Sequence, residues 1–380
     1  MLKLTAEKEK LISALSKALP IVDKKTIMTI INNVLLYTKD GKLVIEATDL
    51  EISFRTIIPA HVEEEGSLTI NARKLYEIVK EISESKIVLE ELENYWLKIP
   101  VGDKAEYTIA GLAPDEFPKF RQFPQKEPIS IPGKTIKDLV ERTIFSVSYD
   151  DSKYALSGIL MQIEKPEEQA NMTIRMVSSD GHRLNLAEAT LEEEGPEGLE
   201  PLSVIILRKG ANELKKLADL NEELSFTADE KFLYVKTETD QLVIRLIEGT
   251  FPDYRAIIPE ERNRSILFNR KNVLSTLKRI SIVIQDPTFK GIKVSVSPNM
   301  MKMESLDKKI GQAEEKVEIG YSGEPFEMAF NARYLIEVLQ VMNSETVELS
   351  FNDEDSPIVV EGEDDKGFVA LIMPMSLEDE

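Results

Sequence analysis

Asp180, His182 and Arg183 fall within the stretch VSSDGHRL (177–184), in a chain of 380 residues whose other histidine is His61. A carboxylate beside an imidazole is the pairing that orients a general base, and that base needs a nucleophile whose proton it can reach. The sequence singles out no such nucleophile. Folding can bring any serine near, so a hydrolase centred on His182 stands as one reading. The other is a turn whose glycine and aspartate set the backbone shape. PGKT (132–135) has Pro128 where a phosphate loop needs its first glycine, and reads as a turn before a helix. FNDEDSP and EGEDDKG (351–367) lack the spaced ligands, central glycine and closing glutamate of a calcium loop, and read as solvated hairpins. The absence of cysteine removes disulfides, thiol nucleophiles and thiolate metal sites. Tyr76, Tyr95 and Trp96 are not interleaved with bases, as stacking platforms for single strands are, and read as core or sheet residues. No metal or cofactor is expected.

A chain of 380 residues exceeds one hydrophobic core, so two or three domains are expected, and 42% hydrophobic residues suffice to fill them. No stretch approaches the roughly 20 apolar residues of a membrane span, and the charged opening MLKLTAEKEK lacks a signal-peptide core. A cytoplasmic protein is expected. The net charge of −21 argues against a nucleic-acid partner unless the positive charge is gathered locally.

Internal similarity supplies the organisation. INARKLYEIVKEI (70–82), ILRKGANELKKLADL (206–220) and FNARYLIEVLQVM (330–342) each leave a β-like run and enter a helical stripe. Leu75, Ile78, Val79 and Ile82, like Leu335, Val338, Leu339 and Met342, keep the spacing of one helix face. Each copy sets a base four residues before a glutamate: Arg73/Glu77, Lys209/Glu213 and Arg333/Glu337. DEFPKF (115–120) and GTFPDY (249–254) close the first two units, giving domains at 1–122, 128–256 and 262–380. Within each unit the order reads strand, helix, three strands, then the same again. This predicts an α+β fold with antiparallel sheet on one side and two helices on the other.

The six expected helices span 6–19, 71–82, 134–147, 208–220, 270–284 and 331–342, and hold 18 Lys or Arg against 9 Asp or Glu. The other 300 residues hold 29 against 59. Helix propensity favours Glu about as much as Lys and Arg, so it does not explain that excess. Three units turning their helices the same way predict an arc with a basic lining, and two arcs can close head to tail. Twelve helices about 8–10 Å apart, less their own radius, leave a hole roughly 20–28 Å wide, which suits a DNA duplex.

The whole chain resembles the β sliding clamp family, the processivity subunit of bacterial DNA polymerase III. SSDGHRL (178–184) and GTFPDYR (249–255) carry the resemblance, with NARKL (71–75) and VALIMPMSL (369–377). It implies a DNA-clamp fold and a non-catalytic homodimeric ring of three-domain protomers around double-stranded DNA. It also implies a cleft for short linear peptides of the replicative polymerase, the clamp loader, and repair or translesion polymerases. The positions matching that cleft are Leu156, Ser179, Gly181, His182, Arg183, Leu184, Pro252, Ile257, Leu371, Met373, Pro374, Met375 and Leu377. An apolar floor with adaptable Met and a polar rim suits that task. On the DNA side the resemblance implies Lys25, Arg73 and Tyr154, with Lys153 compensating for Ala155, where the family has a second tyrosine. The helix charges add Lys209, Lys278 and Arg279. Tyr107 and Ile109 match one side of the ring joint, Val283 and Ile284 the other. Ala256 replaces a common arginine, Asp150 a glutamine, and Glu378–Asp379–Glu380 extends the usual end. The rival readings are a DNA-free peptide-binding scaffold and the His182 hydrolase.

Overall fold

The computed structural model describes residues 1–22, 28–150, 152–165, 171–194, 200–284, 291–307 and 310–375. Among these residues, a strand leads into an α-helix and three strands follow six times over. The helices are α1 (Lys8–Ala18), α2 (Ala72–Glu81), α3 (Gly133–Thr143), α4 (Arg208–Asp219), α5 (Arg270–Ile280) and α6 (Ala332–Val341). The expected strand–helix–three-strand order is therefore observed in all three repeats. Two details of the helices differ: α3 gives way to a 3-10 turn at Ile144–Ser146, and α5 stops four residues short of 284.

Local chemistry sets these starts. Asn71, Asn269 and Asn331 each cap a helix, their side chains accepting from the amides of Lys74, Asn272 and Arg333 at 3.0, 3.1 and 3.0 Å. Leu75 and Val79 of α2, and Leu335, Val338 and Leu339 of α6, are buried as the stripes require. Gly133 opens α3 where a Cβ would stand 2.0 Å from the Asn221 carbonyl oxygen, so PGKT is shaped by close backbone approach.

The chain forms two compact units, 1–134 with 216–246, and 135–215 with 247–380. The division cuts the middle repeat because its strands are shared out between sheets. In the first unit, Asp240–Arg245 pairs antiparallel with Ile52–Glu64, Leu242 opposite Phe54, making one sheet of 12 strands. In the second, Arg183–Glu194 pairs antiparallel with Phe368–Ile372, Leu184 opposite Leu371, within a sheet of eight strands. A further sheet of four strands completes that unit. Each half of the middle repeat thus belongs to its neighbour's core.

The expectation for Trp96 holds, since it opens the strand Trp96–Val101. Two others fail. Tyr95, 39% exposed, ends the 3-10 turn Glu93–Tyr95 and is neither core nor sheet. Asp365 of the acidic EGEDDKG stretch is 2% exposed, not solvated.

Candidate functional site

The VSSDGHRL turn is built by its own side chains. Asp180 Oδ1 accepts from the amides of His182 and Arg183 at 3.0 and 3.1 Å, and Oδ2 accepts from Arg183 Nε at 3.0 Å. Ser179 Oγ accepts from the Gly181 amide at 3.1 Å and donates to the Arg183 carbonyl at 2.8 Å. Gly181 sits at φ +92°, where a side chain would be strained. Asp180 is therefore committed to the backbone and to Arg183, and cannot orient an imidazole. His182 is exposed, and among the described residues its ring makes no hydrogen bond. The arrangement is a rigid corner with no catalytic dyad.

That corner overhangs an apolar cluster in which Leu184 and Leu371 meet Val177, Phe251, Tyr254 and Val359. Leu156 and Ile258 pack against it. The Met373 amide donates to the His182 carbonyl at 2.9 Å, which fixes the last strand beside the corner. Met373 and Ile257 are 39% and 45% exposed, Pro252 is exposed, and Pro374 and Met375 are half-buried. Most of the expected cleft positions thus share one unit around one apolar floor. Leu377 and the acidic tail 378–380 lie outside the described residues.

Arg183 corrects the expectation of a polar rim. Its residue is 6% exposed, and its guanidinium reaches Glu337 of α6 and the Phe145 carbonyl, 4.4 Å over the Tyr334 ring. It binds the second repeat to the third. Arg333 also holds Glu337, at 2.9 Å, so this base–glutamate pair forms as its spacing predicts. The first copy differs: Glu77 pairs with Lys74 at 3.0 Å, and Arg73 is exposed. A second tie joins the same repeats. Arg142 of α3 lies 3.1 Å from Asp365, which also accepts from the Asn343 and Ser344 amides and the Ser344 hydroxyl. Burial pushes the Asp365 carboxyl up, but the Ser344 hydroxyl, the two amides and the Arg142 charge outweigh it and hold the group below the usual aspartate value. Sequence reasoning missed both ties. Their partners are far apart in the chain, and no local pattern marks them.

The observed helices carry 18 Lys or Arg and 8 Asp or Glu, so the cationic bias survives the true spans. Arg73 and Lys278 are exposed, Tyr154 is 56% exposed, and Lys209 is half-buried on the first turn of α4. Arg279 is answered by Glu315, with its Nε 2.9 Å from one carboxylate oxygen and Nη2 2.6 Å from the other, so its charge is largely neutralised. Lys153 donates to the Asp180 carbonyl at 3.0 Å and so braces the corner. Lys25 lies outside the described residues.

The strand Ala105–Leu112 pairs fully with Trp96–Val101 on one side. On the other, only Leu112 and Gly111 pair, opposite Thr69 and Ile70. Residues 105–110 are an open edge, with Tyr107 45% exposed and Ile109 half-buried. At the end of α5, Val283 is half-buried but Ile284 is 4% exposed, inside its own chain; Ile282, 76% exposed, is the outward residue there. No group of three or more His, Asp or Glu among the described residues could hold a metal ion.

Three family models match in succession: DNA polymerase III beta subunit N-terminal domain over 2–121, central domain over 130–253 and C-terminal domain over 255–376. The chain is 29% identical over 392 residues to the Beta sliding clamp of Rickettsia bellii, covering 99% of this chain and 100% of that one. Against the Beta sliding clamp of Vibrio cholerae the identity is 27% over 379 residues, with 99% and 100% covered. Among solved structures, the DNA polymerase III subunit beta from Pseudomonas aeruginosa superposes with a TM-score of 0.90 at 27% identity, covering 99% of this chain and 100% of that one. The beta subunit from Thermotoga maritima gives 0.89 at 25%, with the same coverage.

Proposed function

Because the chain belongs to the DNA polymerase III beta subunit family, the beta sliding clamps, we propose that it works as a non-catalytic ring around duplex DNA. In this reading two chains close head to tail, each contributing three domains with bounds near 1–122, 128–256 and 262–380. The observation that carries it is the gathering of 18 bases on six helices of a chain whose net charge is −21. Lys and Arg attract phosphate without reading sequence, and their hydrated contacts exchange easily enough to permit sliding. The acidic remainder repels the duplex and keeps it on the cationic side. The open edge at 105–110 with Tyr107, and the exposed Ile282 beside Val283, are the two faces offered for ring closure by strand addition and apolar contact.

The test is topological. Loaded onto nicked circular DNA by a clamp loader, the protein is expected to stay bound through gel filtration and to be lost once the circle is cut. Equal retention on both would sink encirclement. An Arg73→Glu/Lys278→Glu chain is expected to load at least about tenfold more slowly at moderate salt while keeping its peptide affinity. Arg279 is left unchanged, because its inversion would set a second acid against Glu315.

The apolar floor under the corner is the proposed dock for short linear peptides of polymerases, clamp loader and repair factors. Met373 and Ile257 present exposed apolar side chains, so Met373→Ala/Ile257→Ala is expected to weaken a polymerase C-terminal peptide about tenfold or more. Fluorescence anisotropy reads this, with the melting temperature unchanged. Full affinity in that double variant would place the dock elsewhere. A cytoplasmic location accords with this role, and among the described residues no helix is long and apolar enough to cross a membrane.

A further inference from the structure

The 12-stranded sheet of the first unit carries a groove that no part of the clamp reading uses. Arg55, Gln241, Lys236 and Ser225 stand directly opposite one another on four successive strands, so their side chains form one row on one face. The connecting segment from Phe120 to Pro128 runs along this row and closes a groove of about 790 Å³. Its lining holds five bases, Lys39, Arg55, Arg121, Lys126 and Lys236, against one acid, Glu238. Such a concentration of positive charge is unexpected away from the helices, in a chain with 21 excess negative charges.

The bases divide into two kinds. The guanidinium of Arg55 lies 3.9 Å over the Phe120 ring and is held by Glu46 at 2.7 Å and Gln241 at 3.2 Å. Arg121 lies 3.9 Å over Phe232, and its charge helps to hold the Asp229 carboxyl low. Both guanidinium planes are fixed in advance and partly neutralised. Lys39, Lys126 and Lys236 are exposed, adjustable point charges that face only Glu238 within the lining. The hydroxyls of Ser225 and Thr227 add neutral donors.

That set suits a small ligand with closely spaced negative charge. An acidic peptide in extended form turns successive side chains to opposite faces, so only every second carboxylate could meet the groove. A linear phosphate chain presents charge at each unit toward the same wall. The lining offers little for a base to stack on: Arg55 covers Phe120, and Phe123 packs against Tyr234 at 5.2 Å. We propose that this groove binds a linear oligophosphate of three or more phosphates, free or as the tail of a nucleotide, with Lys39, Lys126 and Lys236 as its anchors.

The experiment is titration calorimetry of the full chain with sodium tripolyphosphate in magnesium-free buffer. One site per chain is expected, weakened at least about tenfold in Lys126→Glu/Lys236→Glu and less in Lys126→Gln/Lys236→Gln. Both double variants alter exposed side chains, and unchanged melting confirms that they fold. The Arg73→Glu/Lys278→Glu chain is expected to bind tripolyphosphate as the parent does, which separates this groove from the helices proposed to face DNA. A nucleoside triphosphate within about threefold of tripolyphosphate would mean that the phosphate tail alone is read, and a preference beyond that in either direction would identify the source. Oligoaspartate binding as tightly as tripolyphosphate would overturn the phosphate class. Full binding by the two groove variants, or loss of binding in Arg73→Glu/Lys278→Glu, would overturn the site.

Discussion

Replacing Arg183 with alanine is expected to remove about 3–5 kcal/mol of stability from the unit formed by residues 135–215 and 247–380. The side chain is 5% exposed and answers three acceptors: Asp180 Oδ2 at 3.0 Å, a Glu337 carboxylate oxygen and the Phe145 carbonyl. Truncation would leave the Phe145 carbonyl without this donor and would empty the space between the Phe145 and Tyr334 rings. Glu337 would keep only Arg333, and Asp180 only backbone amides. Lysine cannot reproduce the flat fork that meets several acceptors at once, so Arg183→Lys should recover less than half of the loss. Hydrogen exchange resolved by segment is the proper readout, because Trp96, the chain's one tryptophan, reports on the other unit. Protection should fall in Arg183–Glu194 and α6 together. A change below about 1 kcal/mol would mean that Arg183 is not the bolt between the second and third repeats. Peptide affinity should fall with it, since the corner carrying Leu184 would lose its anchor.

The second large effect is expected at Asp365. Its carboxylate accepts from the Asn343 and Ser344 amides at 2.9 Å each and from the Ser344 hydroxyl at 2.7 Å, and faces Arg142 at 3.1 Å. Asp365→Ala leaves these buried donors unanswered and Arg142 with Asp138 alone, at 2.9 Å, a loss of about 3–5 kcal/mol. Asp365→Asn keeps one acceptor oxygen and should cost less. The same group sets an acid response. Its folded value lies below that of the unfolded chain, so its contribution is present above about pH 4 and is lost as pH falls through the folded value. The gap in urea midpoint between parent and Asp365→Asn should therefore begin to narrow as the pH is lowered from 7 to 3. A constant gap across that range would show that ionisation of Asp365 contributes nothing.

Both effects concern residues that the sequence shows plainly and misplaces. DGHRL can be read as a turn, because aspartate and glycine have strong local preferences, and the structure keeps it as one. Arg183 within it looks like a rim charge until Glu337, 154 positions away, is brought against it. Asp365 sits in a run of acids and reads as solvated, since nothing local announces Arg142 or the amides of 343 and 344. Of the proposed cleft, the apolar positions are those that the resemblance to a known pattern implies. Phe251, Tyr254 and Val359 joined them only through folding.

The sequence by itself determined the sixfold strand–helix–three-strand order, the apolar stripes of the helices and the bias of their charge. These depend on neighbours within a turn or a hairpin, where spacing alone fixes which side chains share a face. Only the tertiary structure decided that the middle repeat divides its strands between two sheets, that Arg183 and Asp365 are internal ties, and that Lys39, Lys126 and Lys236 meet in one groove. Strand pairing across repeats, and the burial of charge, are set by contacts between segments remote in the chain. Local periodicity carries no record of which remote partner will arrive.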